Sequence, residues 1–318
     1  MKNTWLKVPA LTLFGPLLLY GHQGDRIYPI LEIAEESSID FKDGVVDDWI
    51  ELIGEPTFTV LDFTVFESHR RSAVTKAFDP SDLDFRIWIG WGRTPPRIYV
   101  AAIFSDNVFV GPELSLGAVL GGHQDHMYLK IDGDHDGAPR RDPTNRFGGT
   151  DDDSGIWEQD AQMYHAFSIP VDGPHVTLRY LEVLFDEDNQ WWSYPPYGDG
   201  GGSVSGENPV FWVVEFYVTP FDMLIRKEPE SSVVSDLFPG KTIGFQFEVW
   251  DFDDNDASQN YAAALYTLGD HSGLTVGDVF NDAASWVDGI LIGDESTGDP
   301  GSVVKTDSWA LIKASLLD

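Results

Sequence analysis

Phe85-Arg86-Ile87-Trp88-Ile89-Gly90-Trp91 runs into the turn Gly92-Arg93-Thr94-Pro95-Pro96, and Arg97-Ile98-Tyr99-Val100-Ala101-Ala102-Ile103-Phe104 follows it. β-Branched and aromatic residues fill both arms, and Gly and Pro divide them, which reads as two antiparallel strands of a hairpin. The same signature recurs outward along the chain. Residues 126–131 form a strand running into Asp132, and residues 176–185 form another. The run VFWVVEFYV over 210–218 is apolar on both faces except for Glu215, as a central strand would be. Ile243, Phe245, Phe247 and Val249 alternate with Gly244, Gln246, Glu248 and Trp250, the period of a half-buried strand. Residues 308–316 read as a closing strand. Helical periodicity is scarce, with one short helix expected near 277–284. The expected fold is therefore all-β: a two-sheet antiparallel β-sandwich, jelly-roll-like, with long loop insertions and few short helices.

Composition bounds the function. The 318 residues carry 53 Asp+Glu against 20 Lys+Arg, a net charge of −33, and no cysteine. A polyanion has few cations with which to displace counterions from phosphate, so nucleic acid is not an expected partner. Disulfides, thiolate nucleophiles and cysteine-held metals are impossible. With 42% hydrophobic and 13% aromatic residues, the chain has ample material for a core.

Residues 1–24 read as a signal peptide: Lys2 and Lys7 precede a short apolar run, and Gly21-His22-Gln23-Gly24 follows. The run is too short to span a bilayer, and no other stretch is long and apolar enough. The expected location is secreted or periplasmic. Residues 36–318 are expected to form one decorated domain. Two insertions interrupt its strands: 132–159, rich in Asp, Gly and Arg, and 187–209, whose Gly198-Asp199-Gly200-Gly201-Gly202 reads as a flexible tip.

Several pieces stand in a familiar order. They are Asp43-Gly44-Val45-Val46-Asp47-Asp48-Trp49, then Ile98-Tyr99-Val100 with Ser105-Asp106, then Tyr128-Leu129-Lys130-Ile131-Asp132-Gly133-Asp134-His135-Asp136-Gly137. Glu215-Phe216-Tyr217-Val218-Thr219-Pro220, the segment 239–245 and Asp251-Phe252-Asp253-Asp254-Asn255-Asp256 complete the series. Over residues 40–318 this order resembles the DOMON-like superfamily of β-sandwiches, and within it the family 9-like carbohydrate-binding modules. The resemblance implies a jelly-roll-like sandwich that binds sugars, or in some relatives haem, and does not imply catalysis.

The residues themselves offer five constellations. Asp132, Asp134 and Asp136 with Gly137 match the start of an EF-hand-type loop, but the position of its bidentate Glu is Pro143. A structural Ca²⁺ in a β-loop is the expectation, against a merely solvated acidic turn. Asp251, Asp253, Asp254 and Asp256 form a second such candidate. The aromatic loop Trp191-Trp192-Ser193-Tyr194-Pro195-Pro196-Tyr197 offers Trp191, Trp192, Tyr194 and Tyr197 as rings to stack on pyranose C–H faces. The competing reading has these rings folded inward as a cap. Trp88 and Trp250, on the off-phase of their strands and joined by Gln246 and Glu248, could line the open face of one sheet, and an insertion packed over that face would explain them equally well. Glu215 and Glu248 form a carboxylate pair of the kind a glycosidase uses. His126 with Met127, or Met163 with His165, are possible axial haem ligands, although neighbours on a strand face opposite ways. The leading expectation is an exported, non-catalytic protein that binds oligo- or polysaccharide and carries structural Ca²⁺. The alternatives are a haem-binding electron-transfer module and a glycan-active enzyme.

Overall fold

The computed structural model describes residues 27–66, 79–111, 125–138, 159–169, 175–179, 191–226, 228–253, 260–265 and 282–293. The N-terminal segment 1–24, the closing strand at 308–316, Asp254 and Asp256 lie outside the described residues, as does most of 277–284.

The strands, in chain order, are β1 (Ile27–Glu32), β2 (Phe58–Thr59), β3 (Phe63–Phe66), β4 (Leu83–Arg93), β5 (Pro96–Asp106), β6 (His126–Asp132), β7 (Ala161–Ile169) and β8 (His175–Arg179). There follow β9 (Gly198–Gly206), β10 (Val210–Val218), β11 (Phe221–Met223), β12 (Val233–Val234), β13 (Thr242–Phe252), β14 (Asn260–Leu265) and β15 (Val287–Ile292). One short α-helix, α1 (Asp47–Leu52), and a few 3₁₀ turns are the only helices among the described residues. The all-β class with few helices is thus what the structure shows.

The division into two antiparallel sheets is not what the hydrogen bonds show. Thirteen strands form one sheet in the order β8-β7-β6-β13-β15-β1-β4-β5-β10-β9, with β14 and β3 continuing from β13 and β2 pairing with β4. β11 and β12 form a separate ribbon. β1 joins the two limbs, and it is parallel to both β15 and β4. Its sequence hid it, because Pro29 cannot donate to a ladder and normally argues against a central strand. The sheet therefore takes in residues upstream of position 36. It also curls, since β8 and β9, its two ends, lie against each other.

The inner face of both limbs encloses one core. Phe85, Ile87, Ile89 and Trp91 of β4 and Val100, Ala102 and Phe104 of β5 are buried with Met127, Leu129 and Ile131 of β6 and Ile243, Phe245, Phe247 and Val249 of β13. Each set follows the period of two that exposes alternate residues to one side. Phe58 ties the limbs together, its ring centroid 5.9 Å from that of Phe245 and 5.8 Å from that of Phe247.

Both limbs are also buried on their outer faces. Over β4–β5–β10–β9 lie residues 33–53, whose Ile33, Ile39, Phe41, Val46 and Trp49 pack on Trp88, Tyr99, Ala101, Val213 and Tyr217. The Gly-rich stretch at 198–202 is no flexible tip: it is β9, paired with β10 from Gly198 opposite Val218 to Gly206 opposite Val210. Glycine carries no side chain that could display a strand's alternation, so pattern reading passed over it. Its role is close approach, since a Cβ on Gly201 would collide with the Phe41 carbonyl oxygen and the Lys42 Cα.

Candidate functional site

The outer face of the other limb carries the polar chemistry. Register places Tyr128 of β6 opposite His165 of β7 and Glu248 of β13. Lys130 lies opposite Met163 and Gln246, and His126 opposite Trp250. Strand alternation puts these residues on one face, opposite the side chains of Met127, Leu129 and Ile131 in the core. All are buried, including the five ionisable ones, His126, Tyr128, Lys130, His165 and Glu248.

Two charges there neutralise each other. Lys130 Nζ pairs with Glu248 Oε1. The Trp250 indole donates to Glu248 Oε2 at 3.3 Å. The His126 ring stacks on Trp250 at 5.9 Å, meets Tyr128 edge-on at 4.8 Å and lies 4.1 Å from the His165 ring. Gln246 stands out: neither its Nε2 nor its Oε1 has a hydrogen-bond partner among the described residues, and the side chain is fully buried. A buried primary amide without partners costs free energy comparable to lost hydrogen bonds. The face thus combines a flat aromatic surface, a charged donor, a charged acceptor and an uncommitted amide. That set suits a polyhydroxyl ligand, whose hydroxyls both donate and accept.

Of the residues singled out in the sequence, Trp250 and Glu248 belong to this face. Trp88 does not. It lies on the outer face of the opposite limb beneath residues 33–53, with its indole donating to the Gly54 carbonyl at 3.0 Å. The expected pairing of Trp88 with Trp250 on one open face fails because the sheet folds over between β4 and β13. The aromatic loop turns inward as well. Trp191–Ser193 form a 3₁₀ turn, Trp192 is fully buried, and the Trp191 indole donates to the Arg226 carbonyl at 2.9 Å. Trp191 also meets Tyr197 and Phe221 edge-on, at 4.8 and 5.5 Å. Only Tyr194, 51% exposed, presents a ring largely to solvent.

Glu215 and Glu248 do not face each other across a cleft. They lie on the outer faces of different limbs with the core between them, Glu248 against Lys130 and Glu215 against Trp49. Of the two candidate haem pairs, His126 and Met127 face opposite ways, with Met127 in the core, whereas Met163 and His165 share one face of β7.

Two carboxylate groupings suit a hard cation. Oxygens of Asp132, Asp134 and Asp136 lie within 4.8 Å of one another, about the span of two Ca²⁺–oxygen bonds. Asp132 organises this turn, accepting from the His135 and Gly137 amides at 2.9 Å each. Asp134, though exposed, is pushed up to about 7, first by partial loss of hydration and then by Asp132, Asp136 and Asp222 around it. The second grouping differs from the expected run of consecutive acids. Asp251 converges instead with Asp106 at the end of β5 and Asp125 just before β6, again within 4.8 Å and all buried. Asp253 is half-buried. Asp125 accepts from the Phe252 amide at 2.7 Å and from the Val110 amide, and its carboxyl is raised well above the ordinary range by burial, Asp106 and Asp251. Sequence reading did not assign Asp106 or Asp125 to this grouping, and no local spacing could, because strand pairing alone brings them together.

No protein-family model and no curated protein matches the chain. Among solved structures it is similar to a family 9 carbohydrate-binding module from Caldicellulosiruptor kristjanssonii in complex with glucose, at 14% identity and a TM-score of 0.42, over 86% of this chain and 100% of that one. A second structure of such a module from that organism, in complex with cellotriose, gives 12% identity and a TM-score of 0.41 over 87% and 99%. Overlap at that level is too low to match residues between the chains. No helix among the described residues is long and apolar enough to cross a membrane.

Proposed function

We propose that the chain is an exported, non-catalytic carbohydrate-binding protein that carries structural Ca²⁺. The observation that supports binding is Gln246, a buried amide with neither donor nor acceptor engaged, set beside the Lys130–Glu248 pair and the Trp250 ring. The face is buried in this structure, so a pyranose would lay its C–H face on the indole and give its hydroxyls to the amide and the ion pair only once the chain covering them moves aside. The reading rests on this face, with Tyr194 as the exposed ring of the aromatic loop. The test is a glycan array with and without Ca²⁺, followed by titration calorimetry on Gln246→Leu. Loss of two hydrogen bonds should weaken binding by about ten-fold or more. An array with no saccharide bound in either condition overturns the reading, and wild-type affinity in Gln246→Leu overturns this site.

For Ca²⁺, Asp132, Asp134 and Asp136 would hold one ion, and Asp251 with Asp106 and Asp125 a second. Their role would be structural, pinning strand ends to the turns that follow. Export is tested by N-terminal sequencing of protein recovered outside the cytoplasm: a chain still beginning at Met1 would count against it.

A further inference from the structure

Residues 33–53 cover the outer face of β4–β5–β10–β9, and beneath them lies Glu215, fully buried. The Trp49 indole donates to its Oε1 at 2.9 Å, and Oε2 makes no hydrogen bond. Its cross-strand neighbours, Ala101 on β5 and Gly201 on β9, carry no charge. Around it on the same face are Trp88, Tyr99, Val213 and Tyr217.

No cation among the described residues answers it. Lys42, from the covering segment, pairs with Asp199 of β9 at 2.8 Å, and Arg97 of β5 pairs with Glu36. The titratable groups nearest Glu215 in the covering segment are themselves acidic, Asp43 and Asp48. Burial pushes the Glu215 carboxyl up to about 9, with Asp43 and Asp48 adding to it and the Trp49 and Gly44 N–H groups opposing. An ionised carboxylate in this position would be a buried charge helped by the Trp49 and Gly44 N–H groups but answered by no cation among the described residues.

The covering segment has little regular structure of its own. Beside a 3₁₀ turn at Glu36–Ser38 it has one α-helix, α1, six residues long and without a side-chain cap at its N-terminus. A helix that short depends on packing for its stability.

We propose that Glu215 is a proton-operated latch: carrying its proton, it lets residues 33–53 close over the sheet, and when the proton passes to solvent hydroxide the segment lifts and uncovers Trp88, Tyr99 and Tyr217. The device does not depend on the carbohydrate reading. A carboxyl whose folded value lies above its unfolded one favours the closed state most below the ordinary glutamate range. That preference declines as pH rises from there and ends once the closed state also ionises, near pH 9.

Hydrogen exchange at the amides of Ile50 in α1 and of Ile53 and Gly54 just after it, which bond back to Val46, Trp49 and Ile50, reads the opening once corrected for intrinsic exchange. In the wild type their protection should fall about ten-fold from neutral pH to about pH 8, again about ten-fold toward pH 9, and then level off. In Glu215→Gln it should be flat. The same slope in Glu215→Gln overturns the latch. If that variant does not fold, Trp49→Phe keeps a ring in place but removes a donor that favours ionisation, so the levelling-off should move to higher pH; an unmoved or lowered point overturns it. Infrared spectra of the wild type give a further arm. A protonated-acid carbonyl band present at neutral pH and lost in step with the opening supports the latch, and a Glu215 already ionised at neutral pH refutes it.

Discussion

Lys130 and Glu248 are opposite charges with no access to water. Each is tolerable only because of the other, so the cost of removing one is dominated by the charge left behind. Lys130→Met should destabilise the fold by about 3–5 kcal/mol, and Lys130→Met with Glu248→Leu by much less. Urea denaturation of both variants measures this; equal losses would mean the pair is not mutually compensating. Asp134 provides a second check on a single residue. Its folded value near 7 lies above the ordinary 3.8, so without metal its contribution to stability is full below 3.8 and is lost as pH rises toward 7. Ca²⁺ binds the ionised form and competes with that proton. The rise in melting temperature on adding Ca²⁺ should therefore be larger at pH 8 than at pH 6, on either side of Asp134's value of about 7. An equal rise at both would exclude Asp134 as a ligand.

At the scale of elements, β9 explains why residues 33–53 fit where they do. Gly200 and Gly201 let the Glu215–Phe216 backbone on one side and the Phe41–Lys42 backbone on the other approach within the space a side chain would fill. Ser203 then fastens the segment by donating to the Gly44 carbonyl at 2.7 Å. Gly201→Ala should cost about 1–3 kcal/mol through forced backbone displacement, and Ser203→Ala about 1 kcal/mol for its single bond. Chemical denaturation ranks them, and a milder effect for Gly201→Ala than for Ser203→Ala would contradict the close-approach argument. One long strand does a comparable job for the sheet. β13 pairs through Thr242–Phe245 with β15 and through Glu248–Phe252 with β14, which lets the sheet turn there.

For the molecule as a whole, the net charge of −33 is a repulsive load on the compact state. Screening should relieve it, so melting temperature should rise with NaCl concentration. Part of that load converges at Asp132–Asp134–Asp136 and at Asp106–Asp125–Asp251. Chelation by EDTA should then lower the melting temperature, since an ion that binds only the folded state stabilises it. A melting temperature indifferent to EDTA would remove the Ca²⁺ proposal while leaving the salt effect intact.

Strands whose side chains alternate were legible in the sequence. The hairpin of β4 and β5, the bounds of β10 and the two faces of β13 follow from which residues recur at a period of two. That period is a local property of the backbone, and it needs no partner to be read. Everything that depends on which strand lies beside which had to wait for the tertiary structure. β9 is glycine at five of its nine positions and shows no alternation, β1 carries a proline, and Trp191 and Trp192 read equally well as platform or cap. Asp125 gains its meaning only from Asp106 and Asp251, and Gln246 only from the neighbours it lacks. The sequence by itself determined an acidic, cysteine-free, all-β chain. Only the curl of one continuous sheet decided which polar residues share a face, because proximity across strands is set by pairing and not by spacing along the chain.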